Sequence, residues 1–176
     1  GHVDEFARFV NPATIFLAMP DAAEAATDPV KKISYERMKI NEQLLMAARD
    51  QEGKPFTIVH LPVPDVVPDE FVMDTSSVMH PVASLHREYA DLKNGERIRF
   101  LPAVSYLNYV VLNDLVIIPA YWRPGFPESC KQEDEQVRSL YARYFPGKTI
   151  IQLDPWGMNY GGGGFHCWTQ QVPKGN

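Results

Sequence analysis

The chain has 176 residues, 45% hydrophobic and 22% charged, which is ordinary for one globular domain. Its net charge of −5 at pH 7 excludes the strongly basic surface of a typical nucleic-acid-binding protein. Two cysteines are too few for a disulfide framework, and no apolar run approaches the roughly 18 residues of a membrane helix. A cytoplasmic location is the default expectation, although a signal peptide on a longer chain would make the protein a secreted one.

The first third of the chain predicts two strands, a helix and a third strand. Alternating and apolar residues give strands at 5–10, 14–19 and 54–63. A helix is predicted over about 30–51, and Gly53 can end it. Its apolar stripe, at helical spacing, is formed by Ile33, Ile40, Leu44, Ala47 and Ala48.

The same order of elements recurs in the second half. Residues 104–121 predict a hairpin that turns at an Asn-Asp pair, followed by a helix over 130–145 and a strand over 148–153. The helix has an apolar face formed by Val137, Leu140, Tyr141, Tyr144 and Phe145. A ββαβ unit therefore appears twice, and a final strand is predicted over 165–171.

An insertion at about 62–98 separates the two units. It is rich in proline and ends in a polar tract, and a short helix is predicted in it at about 82–92. A lid over a site and an exposed surface loop without a function are both consistent with this composition.

The stretch GGGGFHCWTQQ, residues 161–171, raises three possibilities. A phosphate loop is disfavoured because no helix and no Lys-Ser/Thr pair follows the glycines. A metal site is not expected, because His166 and Cys167 would face opposite sides of a strand. The third possibility is a nucleophile, since the glycines would bring the Cys167 thiol to the surface of a cleft.

The other end of the chain carries partners for such a thiol. His2 and Asp4 would share one face of the first strand, whereas Glu5 would point away from Asp4. A thiol, an imidazole and a carboxylate are the groups of nucleophilic catalysis with proton transfer. His166 is expected to be a packing residue on the far side of its strand.

Four ordered blocks of the sequence resemble one family: GHVDEFARFV, SYLNYVVLN, YFPGKTII and YGGGGFHCWTQQVP. This is the agmatine deiminase and bacterial, Porphyromonas-type peptidylarginine deiminase family, in the guanidino-modifying pentein superfamily. The resemblance implies an α/β propeller of five ββαβ units, of which this chain would hold about two plus a final strand. Residues 1–176 would then be the C-terminal part of one deiminase domain, with the insertion at about 62–98.

The resemblance also implies a hydrolase that converts a guanidinium group to a ureido group, releases ammonia and needs no cofactor or metal. Agmatine would give N-carbamoylputrescine, a step of putrescine and polyamine biosynthesis, whereas peptidyl-arginine would give citrulline. The sequence does not choose between these substrates. A non-catalytic or truncated pentein module is a further alternative, and so is a Cys–His hydrolase of amide bonds.

The resemblance gives Cys167 the role of the nucleophile, and His2 that of the general acid and base. Asp4 would grip guanidinium nitrogens. Three more residues are expected beside the substrate: Asn108, Gly163 and Gly164.

One element of the family is missing from the sequence. A second aspartate, in a Trp-x-Arg-Asp block, would precede the His-x-Asp block. We therefore expect this chain to be a piece of a longer protein or a processed product, with an N-terminal segment or a second chain that supplies that aspartate. The isolated chain is expected to be weak or inactive as a catalyst, and a homo-oligomer is possible for the whole protein.

Overall fold

The computed structural model describes residues 2–65, 68–74 and 93–172. Within these residues the fold is α/β. The strands are β1 (Ala7–Asn11), β2 (Thr14–Ala18), β3 (Thr57–Leu61), β4 (Asp69–Val72), β5 (Arg97–Phe100), β6 (Val110–Val111), β7 (Leu115–Pro119) and β8 (Thr149–Leu153). The helices are α1 (Ala22–Thr27), α2 (Pro29–Ala47), α3 (Glu128–Tyr144) and α4 (Trp156–Asn159). None of the helices in these ranges has the length and apolar character needed to cross a membrane.

Two sheets repeat one topology, as the sequence predicts. In the first sheet β1 pairs antiparallel with β2, and β3 returns after α2 to pair parallel with β2. In the second sheet β6 pairs antiparallel with β7, and β8 returns after α3 to pair parallel with β7. The predicted α/β class and the two ββαβ units are confirmed. Closure of a propeller stays a prediction, because two units do not make a ring.

The helices of the first unit begin at aspartate caps. Asp21 accepts hydrogen bonds from the backbone at the start of α1, and Asp28 does the same for α2, whose first residue is Pro29. The sequence analysis missed α1 and placed the end of α2 at residue 51, whereas α2 ends at Ala47.

The apolar stripe of α2 does not face the core. Ile33, Ile40 and Leu44 are 51%, 59% and 66% exposed. The buried residue of this helix is Glu42, which pairs with His60 of β3 and is 8% exposed. The spacing that predicted α2 is correct, but the stripe lies on the outer side of this part of the chain.

The apolar face of α3 forms the core, as predicted. Val137 and Tyr141 are fully buried, and Tyr141 makes edge-on ring contacts with Phe16 of β2 and Tyr109 before β6. One helix therefore packs against both units and fixes them side by side.

Several hydrogen bonds tie the first residues of the chain to the segment before β6. The Ser105 hydroxyl donates to the Glu5 carbonyl at 2.6 Å, and the Tyr109 hydroxyl donates to the Phe9 carbonyl at 3.0 Å. Arg8 donates to the Leu107 carbonyl at 3.3 Å and lies over the ring of Tyr109. These contacts place the start of the chain beside residues 105–109.

Two paired strands in and just after the insertion were not predicted from the sequence. Strands β4 and β5 pair antiparallel, from Asp69 opposite Phe100 to Val72 opposite Arg97. The predicted helix at about 82–92 lies outside the described residues.

Candidate active site

The first described residues form a turn and not the start of a strand. Val3–Glu5 is a 3₁₀ turn, in which the Glu5 amide donates to the His2 carbonyl at 3.2 Å. Successive residues of such a turn point about 120° apart, whereas strand neighbours point to opposite sides. The expectation that Glu5 points away from Asp4 is therefore wrong, because both carboxylates face the same space.

The residues after the glycines also form a turn where a strand was predicted. The Trp168 amide donates to the Gly164 carbonyl at 3.3 Å, and the Thr169 amide donates to the His166 carbonyl at 3.1 Å. Gly162 has a φ of +88°, which glycine adopts without strain. The predicted strand over 165–171 is wrong, because these local bonds satisfy the backbone that a ladder would need.

The buried side chain of Asn108 joins the two turns. Its Oδ1 accepts the amides of His166 at 2.8 Å and Cys167 at 3.2 Å. Its Nδ2 lies 2.6 Å from Glu5 Oε1, 3.0 Å from Cys167 Sγ and 3.4 Å from Asp4 Oδ2. These two hydrogen bonds fix the backbone of the second turn at His166 and Cys167.

The sequence-predicted nucleophile and its partners lie together. Cys167 Sγ is 3.2 Å from Asp4 Oδ2, and the donor or acceptor atoms of His2, Asp4 and Cys167 lie within 4.8 Å of one another. The expected place of His166, on the far side, is wrong, because its Nδ1 lies 2.6 Å from Asp4 Oδ2. The two ends of the chain therefore meet at one site.

The glycines allow two close approaches. A Cβ at Gly163 would lie 2.6 Å from Cys167 Cβ and 2.8 Å from its Sγ, and one at Gly164 would lie 2.9 Å from Asn108 Oδ1. The Gly163 carbonyl accepts from Asn159 Nδ2 at 3.0 Å, and the Gly164 carbonyl accepts within the turn. Each carbonyl has a donor from the protein, so a contact with substrate stays a prediction.

The environment moves the pKa values of the three acidic groups in different directions. Burial raises the pKa of the Cys167 thiol, and the nearby Asp4 charge adds to this effect. Burial also raises the pKa of Asp4, but hydrogen bonds from His166 and Cys167 outweigh it and hold that pKa below its usual value. Burial, reinforced by the Asp4 charge, raises the pKa of Glu5 to about 7.

A thiol, an imidazole and a carboxylate are also donors that zinc accepts. Here the Cys167 thiol and the Asp4 carboxylate are bonded to each other, and Asp4 is bonded to His166. The three side chains whose ligand atoms lie within 4.8 Å of one another are His2, Asp4 and Cys167, so the expected absence of a metal stays a prediction.

Sequence reasoning missed Glu5 and His166 as members of the site. Both were dismissed on the alternation of a strand, which requires neighbours to diverge. The run of glycines before His166 was the signal against a strand, since glycine weakens strands and favours tight turns. No comparable signal marks the turn that contains Glu5.

A family model described as the Porphyromonas-type peptidyl-arginine deiminases matches residues 1–173. The chain belongs to this family. The match spans both units and the site, and it confirms the resemblance carried by the His-x-Asp and glycine-rich blocks.

Two curated relatives carry agmatine deiminase names. A Legionella pneumophila protein provisionally named agmatine deiminase is 29% identical over 174 residues, which are 99% of this chain and 38% of that protein. The agmatine deiminase of Pseudomonas putida is 27% identical over 173 residues, which are 98% of this chain and 40% of that protein. The chain thus spans about two fifths of the length of these relatives.

Two solved structures of agmatine deiminases share the fold. The agmatine deiminase of Enterococcus faecalis has a TM-score of 0.66 at 24% identity, and the match covers 99% of this chain and 40% of that one. The agmatine deiminase of C. jejuni has a TM-score of 0.60 at 21% identity, with 99% and 39% covered.

Proposed function

We propose that this chain supplies the nucleophile, a general acid and base and a cation-binding carboxylate to a hydrolytic deiminase of guanidinium groups. The observation that carries this proposal is the contact of Cys167 Sγ with Asp4 Oδ2 at 3.2 Å, with His2 in the same cluster. The family membership and the names of the relatives support the class of reaction.

Binding of the substrate follows from charge and shape. A guanidinium is flat and permanently charged, and a carboxylate accepts its N–H groups in the plane. Asp4 keeps its negative charge at neutral pH because its pKa is lowered, although burial opposes this. A guanidinium held by Asp4 would present its central carbon to the sulfur of Cys167.

The cation also prepares the nucleophile. In the free site the pKa of Cys167 is raised by burial and by Asp4, so the resting group is a thiol. A bound positive charge favours the thiolate and lowers that pKa. Attack on the guanidinium carbon gives a tetrahedral adduct, and His2 protonates the departing ammonia to leave a thiouronium on Cys167. His2 then activates the water that releases the ureido product.

Agmatine, which would yield N-carbamoylputrescine, is the substrate that the relatives' names favour. The description of the family favours a peptidyl-arginine, which would yield citrulline. A second carboxylate from a segment or chain outside these residues would complete the grip on the cation, so we propose that the isolated chain turns over slowly.

The test is an assay of the full-length protein for ureido product, on agmatine and on a peptide with an internal arginine. Cys167→Ser should abolish product, whereas Cys130→Ala should keep it, because Cys130 is fully buried and burial raises its pKa to about 12. Absence of product from both substrates would refute the deiminase assignment and favour the non-catalytic module.

A further inference from the structure

The Cys167 thiol must lose a proton before its sulfur can attack, and two carboxylates border it. Asp4 Oδ2 lies 3.2 Å from the sulfur, and Glu5 Oε1 lies 3.6 Å from it. Either carboxylate is close enough to share the thiol proton, so their surroundings decide which one accepts it.

Asp4 is a poor acceptor because its nearer oxygen is already engaged. Asp4 Oδ2 lies 2.6 Å from His166 Nδ1 and 3.4 Å from Asn108 Nδ2, in addition to the thiol. These donors stabilise the ionised carboxylate and leave it little tendency to bind another proton.

Glu5 is positioned beside the thiol by a hydrogen bond. Asn108 Nδ2 fixes Oε1 at 2.6 Å, and the same amide nitrogen lies 3.0 Å from Cys167 Sγ, so one anchor sets the oxygen and the sulfur side by side. In the described part of the chain, the titratable groups that face Glu5 are Asp4, Cys167 and Tyr121. The charge of Asp4 adds to burial in raising the pKa of Glu5 to about 7, where a base is most effective at neutral pH.

We propose that Glu5 is a catalytic residue that accepts the proton of the Cys167 thiol, within the deimination proposed above. Nothing in the sequence assigns it this role, since a strand would turn it away from the site.

The step balances without a co-reactant. The S–H bond of Cys167 breaks and its proton moves to Glu5 Oε1. The sulfur pair forms the bond to the guanidinium carbon, and the C=N π pair moves to nitrogen and neutralises the cation. His2 keeps its own proton for the departing ammonia, so one site carries a base and an acid at the same time.

Protonated Glu5 has to return its proton before the next cycle. A cavity of about 140 Å³ borders Glu5 and reaches Ser34, Met38 and Tyr106. This volume is large enough for water, which can carry the proton away from the side of Glu5.

The test compares Glu5→Gln with the wild type, and uses Glu36→Gln on the exposed side of α2 as the control. Glutamine keeps an oxygen for Asn108 but cannot take a proton. The first measurement is the rate of Cys167 alkylation by iodoacetamide from pH 5 to pH 10, which needs no turnover. The second is the pH profile of kcat/KM for ureido product in the full-length protein.

We expect Glu5→Gln to lose roughly 10²-fold or more in kcat/KM, together with the inflection near pH 7. Its thiol should alkylate faster at pH 8, because a negative charge beside the sulfur is gone, which favours the thiolate. Alkylation that slows in parallel with turnover would mean a packing role and overturn the proposal. An alkylation profile equal to that of the wild type would overturn it too, whereas a wild type without product would refute the proposed function alone.

Discussion

At the scale of single residues, the glycines before the Cys167 thiol have different structural roles. Gly162 sits at a positive φ, Gly163 lets the backbone pass against the Cys167 side chain, and Gly164 passes against Asn108. A side chain at either of the last two positions would occupy space that the site already uses.

Gly163→Ala should displace the thiol. Its Cβ would meet Cys167 Cβ at 2.6 Å, so the alkylation rate of Cys167 should change several-fold and stability should fall by about 1–3 kcal/mol. Urea denaturation and iodoacetamide labelling measure the two effects. Gly157→Ala is the matched control, because a Cβ there meets nothing within 4 Å. Equal behaviour of the two variants would refute the close approach.

Asn108→Ala should lower the stability of the fold and make the Cys167 thiol less reactive at neutral pH. It leaves the amides of His166 and Cys167 without their acceptor, and each unsatisfied buried amide lowers the free energy of unfolding by about 1–3 kcal/mol. It also removes the donor that lowers the pKa of Cys167, so the alkylation profile should move to higher pH. Asn113→Ala, at an exposed turn, should leave the profile unchanged; a profile unmoved in Asn108→Ala would contradict the contact.

At the scale of elements, periodicity predicted the strands and helices of both units. The stripes of α2 and α3 look alike in sequence, yet that of α3 is buried and that of α2 is exposed. Periodicity identifies a helix and its apolar side, but it cannot say what that side meets. The paired strands β4 and β5 were missed because a proline-rich, polar insertion carries little alternation.

The orientation of α2 has a direct consequence for stability. Ile40→Ser should change the free energy of unfolding of this chain by less than about 0.5 kcal/mol, because Ile40 is 59% exposed. Val137→Ala, on the buried face of α3, should cost about 1–3 kcal/mol. Denaturant unfolding of both variants measures the two effects. Similar losses of unfolding free energy would mean that the α2 stripe lies in the core.

The buried carboxylate of Asp134 holds α3 to the segments that follow β7 and precede β6. Asp134 accepts from the amides of Tyr121 and Trp122 and from the Tyr106 hydroxyl. Asp134→Asn should lower the free energy of unfolding by about 1–3 kcal/mol, because the amide offers one acceptor oxygen where the carboxylate offers two. Glu135→Gln, on the exposed side of the same helix, should cost little in the same denaturant experiment, and an equal loss would contradict the network.

At the scale of the whole molecule, the site depends on two local turns that strand alternation did not predict. The motif residues Cys167, His2 and Asp4 were predicted to meet, and they do. The direction of Glu5 could not be predicted, because it depends on the 3₁₀ turn and on Asn108, which lies 103 residues further along the chain. For His166 the run of glycines was a signal against a strand, but its contact with Asp4 depends on the fold.

Two partly buried acids should make the stability of the chain fall with rising pH. Burial raises the pKa of Glu5 and that of Glu133 to about 7, against 4.5 in the unfolded chain. Between these values the unfolded state has released protons that the folded state still binds, so the free energy of unfolding falls as pH rises. Thermal unfolding from pH 4.5 to pH 8 should show this decline, and Glu133→Gln should flatten it. A decline unchanged in Glu133→Gln, as in the control Glu135→Gln, would contradict the assignment.

Deimination at this site depends on a flat cation that is held by Asp4 and presents its central carbon to the Cys167 sulfur. The most direct measurement is the rate at which iodoacetamide labels Cys167 in the full-length protein, with and without agmatine, in the wild type and in Asp4→Asn. We expect agmatine to slow labelling in the wild type, because the bound molecule covers the sulfur and this outweighs the lowering of the thiol pKa, and to have little effect in Asp4→Asn. Equal protection in both proteins, or none in the wild type, would contradict the account.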